Sequence, residues 1–482
     1  MSHLLIRGAM MIDGSGASAH VADVRIRDGR IAEVGPDLET GDAEPFDAAG
    51  QCLAPGFIDV HTHDDHAVIE RPDMLCKISQ GVTAVVVGNC GMSVAPLVAS
   101  QAPEPLGILG PDSAFRHTRY ADYVAAVNEA RPATNVVGLI GHSTVRLAVM
   151  EDTARPASGA ERERMAELVE EAMAAGAAGM SSGVFYAPGT CADVSELACL
   201  AEVVAAYGGV YTAHIRDEYD GVLEALEEAF SVAHRAGLPV VISHHKCAGP
   251  KNWGRTRETL AYIERIRRRQ PVAVDAYPYV AGSTVLREDL VDGRIDVLLT
   301  WSKPYPDFAG RLLADIAAEW NCSQQVACKR LQPGGACYFQ MREDDIKRVL
   351  AYPHTMIGSD GLPFDSHPHP RLWGAFARVL GHYSRDEGLF PIEEAVRRMT
   401  GLPAKQFGLR DRGRIAPGCI ADLALFDPMR IRDQATYSDP EQPASGLTQV
   451  WVGGIPAYSP GTGVVARNGR FLRRDRSTSD LL

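Results

Sequence analysis

The sequence predicts a closed (β/α)8 barrel, because eight short β-rich apolar runs recur between residues 56 and 361 and helix-period stretches separate most of them. Most of the runs also end in polar or ligand-type side chains. In order they are GFIDVHTH (56–63), TAVVVGNCG (83–91), NVVGLIGHS (135–143), GAAGMSSG (176–183), GVYTAHIR (209–216), LPVVISHHK (238–246), VAVDAYPY (272–279) and HTMIGSDG (354–361). Their cores are continuously apolar rather than alternating, which is the pattern of parallel strands buried on both faces.

Between the runs, residues 160–175 place Met165, Leu168, Val169, Ala172 and Met173 on one face and charges on the other, so an amphipathic helix is expected there. Comparable periodicity predicts helices over 195–206, 221–236 and 256–269. Eight such units suffice to close a barrel, whose chemistry then sits at the carboxyl ends of the strands.

The flanking segments follow other rules. Residues 1–55 and 414–482 carry short strand patterns with turn signals at Asp28-Gly29, Gly453-Gly454 and Asn468-Gly469, and are expected to form one small β-sandwich domain from both chain ends. The barrel then occupies 56–413. Within it, 281–353 is too long for a βα loop and includes helical patterns at 308–320 and 344–351, so a lid-like insertion after strand 7 is expected.

With 482 residues, 46% of them hydrophobic and 23% charged, the chain can bury a large core. A net charge of −13 without basic clusters argues against nucleic acid as a partner. No apolar run is long enough to span a bilayer and no leader pattern opens the chain, so no membrane partner and a cytoplasmic location are the default expectations. The ten cysteines form no CxxC pair and no framework-like spacing.

The last residues of the predicted strands are His61 and His63, Cys90, His142, His214, His244, Tyr277 and Asp360. A lone HxH pair has roughly even odds of being a metal site, and a lone Cys or His at a strand end is more often structural. Converging on one barrel mouth, imidazoles, a thiolate and a carboxylate match the N and S donors that zinc prefers. His245 neighbours His244 but points to the opposite side of a regular strand, and neither His142 nor His66 has an assignable role.

These motifs, with GHSTVR, SHHKCAGPKNWG, IGSDGLP, HPHPRLWG and GRIAPGCIADLALFDP, resemble the amidohydrolase superfamily, and more narrowly its N-acyl-D-amino-acid deacylase (D-aminoacylase) branch, over essentially the whole length. The resemblance implies a zinc-dependent hydrolase of linear amide bonds whose partner is a small N-acyl-D-amino acid. It implies that Cys90, His214 and His244 hold one firmly bound Zn2+, that His61 and His63 line a second, weaker position, and that Asp360 is the catalytic carboxylate. It also implies that Lys246, Tyr277 and Arg371 hold the substrate α-carboxylate, a task suited to ammonium and guanidinium donors. No lysine lies between Lys77 and Lys246, so the carboxylated strand-four lysine of many relatives is absent; the resemblance implies that the Cys90 thiolate supplies the negative charge instead.

Val285 and Leu286 suggest neutral or hydrophobic D-side chains, whereas Arg287 would favour acidic ones if it faced the pocket. Two other readings keep the fold: a cyclic amide hydrolase of the hydantoinase or dihydropyrimidinase kind, and a non-catalytic scaffold. The missing strand-four lysine weighs against the first and the complete ligand set against the second.

Overall fold

A computed structural model describes residues 3–475 of the chain. Eight parallel strands form one sheet, and we number them β1 (Phe57–Asp59), β2 (Val82–Val87), β3 (Asn135–Gly141), β4 (Gly179–Gly183), β5 (Val210–His214), β6 (Val240–Ile242), β7 (Val272–Ala276) and β8 (Thr355–Ile357). Each pairs with the next in sequence order. The sheet closes where the ends of β1 and β8 meet: Thr62 bridges Gly361, and the Asp360 amide donates to the His61 carbonyl at 2.7 Å. The closure seam therefore sets the HxH motif beside Asp360.

The expected helices are present, at Gly159–Ala175, Val194–Ala206, Val222–Ala236 and Thr256–Arg267. The first shows why its ends fall where they do. Ser158 caps it by accepting from the Glu161 amide while the Glu161 carboxylate reaches back to the Ser158 amide, and Gly176 ends it with φ at 115°.

Both chain ends build a second, nine-stranded sheet, which curls until the turn at Gly29 meets the one at Gly453. At both turns two successive residues have positive φ, namely Asp28 and Gly29, and Gly453 and Gly454, as tight hairpins require. The Asn468-Gly469 signal has a different outcome. Past Val465 the chain leaves this sheet, and Leu472 donates to the Val136 carbonyl at the base of β3, with Phe471 packed edge-on against Tyr120. Residues 476–482 of the expected terminal segment lie outside the described residues.

After β7, the insertion is a three-stranded antiparallel sheet of Gly282–Val285, Val297–Ser302 and Gly334–Tyr338 packed on helices Leu313–Glu319 and Gln324–Leu331. The helix expected over 308–320 begins only at Leu313, because Gly310 and Arg311 are tied by hydrogen bonds to Leu299 in the central part of the insertion. The pattern at 344–351 is realised as Glu343–Ala351, which packs against Thr256–Arg267 and β8 as a barrel helix. No helix among the described residues is long and apolar enough to cross a membrane.

One buried ion cluster locks the seam. Lys77 Nζ donates to Asp59 Oδ2 at 2.9 Å and to Ser359 Oγ at 2.6 Å, and lies 3.3 Å from Asp64. All four side chains are fully buried. Removing the ammonium leaves two carboxylates uncompensated, so Lys77→Met is expected to cost about 3–5 kcal/mol. A urea unfolding midpoint unchanged from the parent protein would show that the cluster does not hold the seam.

Candidate metal centre

The strands end in side chains aimed at one point. Cys90 Sγ lies 3.4 Å from His214 Nδ1 and 3.4 Å from His244 Nε2, which are themselves 2.9 Å apart. On the other side of the sulfur, His61 Nε2 is at 3.2 Å, and His63 Nε2 and His61 Nε2 lie 3.2 and 3.5 Å from Asp360 Oδ1. Two donor sets thus meet at Cys90.

The backbone is bent to make this happen. Among the described non-glycine residues only eight have positive φ, and Cys90 (54°), His244 (36°) and Asp360 (51°) are three of them. A left-handed residue costs of order 1–3 kcal/mol, and here it swings each side chain off the strand direction and onto the barrel axis. His244 therefore turns inward past the end of β6, and His245 points away, its Nε2 at 2.8 Å from Thr259 Oγ1. Burial pushes the His245 pKa down to about 4, that of a neutral packing residue. His142 is also structural: it lies 2.8 Å from Glu196, which Arg146 grips as well. His66 pairs with Glu70 at 2.6 Å.

The electrostatics suit a cation. Burial raises a thiol's pKa, yet the imidazoles of His61, His244 and His214 hold Cys90 well below its ordinary value, which favours the thiolate. Burial also opposes ionisation of Asp360, but Arg371 and His61 outweigh it and keep the carboxyl far below the usual range. For His61, burial disfavours the charged ring, while Asp275, Cys90 and Asp360 lift its pKa well above normal.

These donors fit zinc: bonds of about 2.0 Å to nitrogen and 2.3 Å to sulfur at a tetrahedral centre set ligand–ligand edges of about 3.3–3.6 Å. The Cys90, His214 and His244 edges span 2.9–3.4 Å. His61, Cys90 and His244 form one group that can hold an ion, and His61, His63 and Asp360 another.

Two carboxylates that sequence reading missed orient these rings. Asp275 Oδ1 lies 3.2 Å from His61 Nδ1 and accepts from the His244 amide at 2.7 Å. Glu218 Oε1 lies 3.0 Å from His244 Nδ1. A carboxylate behind a ligating histidine fixes its tautomer and aims its other nitrogen. Asp275 stands in the DAYPY run, but nothing in that run says which ring it meets; Glu218, four residues beyond His214, carried a weak proximity signal.

The three proposed carboxylate-binding residues also converge. Lys246 Nζ lies 2.9 Å from His244 Nδ1 and donates to Glu218 Oε1 at 2.5 Å. Arg371 NH1 is 2.9 Å from Asp360 Oδ2, and its guanidinium covers the Tyr277 ring at 4.4 Å from the centroid. Lys246 and Tyr277, but not the buried Arg371, line a narrow space of about 40 Å3, with Leu290, Tyr338 and Gln340 of the insertion segment forming one wall.

Fold and donors together define a barrel built to hold metal at the carboxyl ends of its strands. Comparison with known proteins is specific: the model of the amidohydrolase family matches residues 44–283 and 273–458. A D-aminoacylase of Alcaligenes xylosoxydans xylosoxydans is 48% identical over 98% of this chain and 97% of its own. An N-acyl-D-aspartate deacylase of the same organism is 46% identical over 97% of this chain and 94% of its own. The crystal structure of N-acyl-D-glutamate deacylase from Bordetella bronchiseptica, complexed with zinc and a phosphonate inhibitor, superposes with a TM-score of 0.93 at 44% identity, covering 98% of this chain and 100% of that one. The chain belongs to the amidohydrolase family.

Proposed function

We propose that this protein is a zinc-dependent deacylase that cleaves N-acyl-D-amino acids to a carboxylate and a free D-amino acid. One observation supports the reading most: a thiolate–imidazole donor cluster, the cation Lys246, Tyr277 and Asp360 line the same small space, and the buried Arg371 stands behind it, paired with Asp360 at 2.9 Å. Full-length similarity to deacylases of N-acyl-D-amino acids supports the substrate class. The cyclic amide reading is disfavoured, since β4 is Gly-Met-Ser-Ser-Gly and offers no lysine.

In this reading Cys90, His214 and His244 hold the firm zinc, and His61 and His63 line the weaker position. The metal supplies a more acidic water and Lewis-acid polarisation of the amide carbonyl. Asp360, held ionised, takes a proton from the attacking water and delivers it to the departing amine nitrogen, while His61 and His63 keep its oxygen in place. Lys246, Tyr277 and Arg371 receive the α-carboxylate. With the carboxylate and the scissile carbonyl both anchored, one enantiomer alone directs its side chain into the remaining space.

Overall identity does not choose among side chains, because deacylases of D-aspartate and D-glutamate derivatives resemble the chain almost equally. The pocket does. Met92, Ile108, Leu290 and Leu362 form apolar wall, whereas Arg287 lies outside, bonded to Asp289 at 2.6 and 3.0 Å and stacked over Phe185 at 4.5 Å. Neutral, hydrophobic D-amino acids are therefore the preferred substrates.

Amine release from N-acetyl-D-leucine, N-acetyl-L-leucine and N-acetyl-D-glutamate tests this. Rapid turnover of the first alone is expected, and faster hydrolysis of the glutamate derivative would place Arg287 in the pocket. Arg371→Ala is expected to lower kcat/KM for N-acetyl-D-leucine about 10–100-fold, the worth of a charged hydrogen bond. An equal loss on the corresponding ester would instead assign Arg371 the task of holding Asp360.

A further inference from the structure

A large cavity lies at the other end of the barrel. It measures about 820 Å3 and is lined by Val272 and Ala273 at the start of β7, by His354 just before β8, and by the segment from Gly401 to Arg414. The metal-type donors stand at the opposite, carboxyl ends of the strands.

Its charge runs against that of the molecule. In a chain of net charge −13, seven cationic side chains line this hollow and no aspartate or glutamate does. Four are balanced from outside the lining: Arg397 by Glu394 at 2.6 Å, Arg412 by Asp422 at 2.9 Å, Arg410 by Asp475 at 3.4 Å and Arg267 by Glu264 at 3.7 Å. Arg269, Lys405 and Arg414 have no ion pair among the described residues. Gln406, 9% exposed, adds an amide nitrogen at the wall that has no hydrogen-bond partner among the described residues.

Like charges brought together on a concave wall repel one another, and a surface patch without a ligand would relieve this by pairing or spreading apart. Gathered in a hollow, they focus a positive potential that concentrates anions. Six of the seven are arginines, whose planar forks match the paired oxygens of phosphate. Pro271, Leu402 and Leu409 supply an apolar surface beside them, room for an uncharged body attached to the phosphates.

We propose that the base of the barrel binds a polyphosphate anion, free or carried on an organic molecule, at Arg269, Lys405 and Arg414. Calorimetric titration of the zinc-loaded enzyme with inorganic tripolyphosphate, ATP and citrate tests it, at low and at physiological salt. Saturable, salt-sensitive binding of tripolyphosphate and ATP is expected, and tighter binding of ATP would identify the organic form. In the double variant Lys405→Glu/Arg414→Glu, affinity should fall at least about tenfold while kcat/KM for N-acetyl-D-leucine stays unchanged, since charge reversal acts locally and both side chains are exposed. Arg269→Glu, tested separately, should weaken binding in the same direction. Absence of saturable binding, or citrate bound as tightly as tripolyphosphate, would overturn the proposal. So would binding that survives in all the variants, because chelation of the zinc gives that result.

Discussion

Asp360→Asn is expected to lower kcat roughly 10²–10⁴-fold while leaving the firm zinc in place. The amide retains the shape of the carboxylate but cannot accept a proton from water, and the Cys90, His214 and His244 donors are untouched. The change also removes the partner of Arg371, which lies 2.9 Å from Asp360 Oδ2, so KM will shift as well. Zinc content by mass spectrometry and single-turnover rates separate the two effects. A variant with full zinc and more than a tenth of the parent rate would take Asp360 out of the mechanism.

Cys90→Ser is expected to weaken zinc binding by ~10²-fold or more, and activity should fall in step with occupancy. Three imidazole nitrogens, of His61, His214 and His244, lie within 3.2–3.4 Å of the sulfur. Those imidazoles hold the thiol ionised; a serine hydroxyl in the same place stays protonated and neutral. The variant should keep the parent's circular dichroism, because Cys90 sits at the strand's end and not in its hydrogen-bonded part. Retention of stoichiometric zinc after dialysis would refute the thiolate assignment.

The barrel was legible because its strands are buried on both faces and so leave unbroken apolar runs, while its helices leave a 3.6-residue period. The candidate donors could be picked out for the same reason, since each stands where a run stops. The three-stranded insertion sheet was not legible: Gly282–Val285 reads Gly-Ser-Thr-Val, too short and polar to declare itself, and it exists only through pairing with Gly334–Tyr338. The last described residues were misread as more of the small β domain, because nothing local says that Leu472 will find Val136.

The sequence by itself determined the fold class, the set of candidate donor residues and the absence of a strand-four lysine, since all of these are written in local pattern and residue type. Tertiary structure decided everything that depends on distance between segments remote in the chain. It alone brings Asp275 behind His61, sets Lys77 against Asp59 and Ser359 at the seam, turns Arg287 onto Asp289 and Phe185, and gathers unpaired cations at the base of the barrel. Periodicity records which face of an element is buried; it carries no information on which charged group waits across the barrel to meet it.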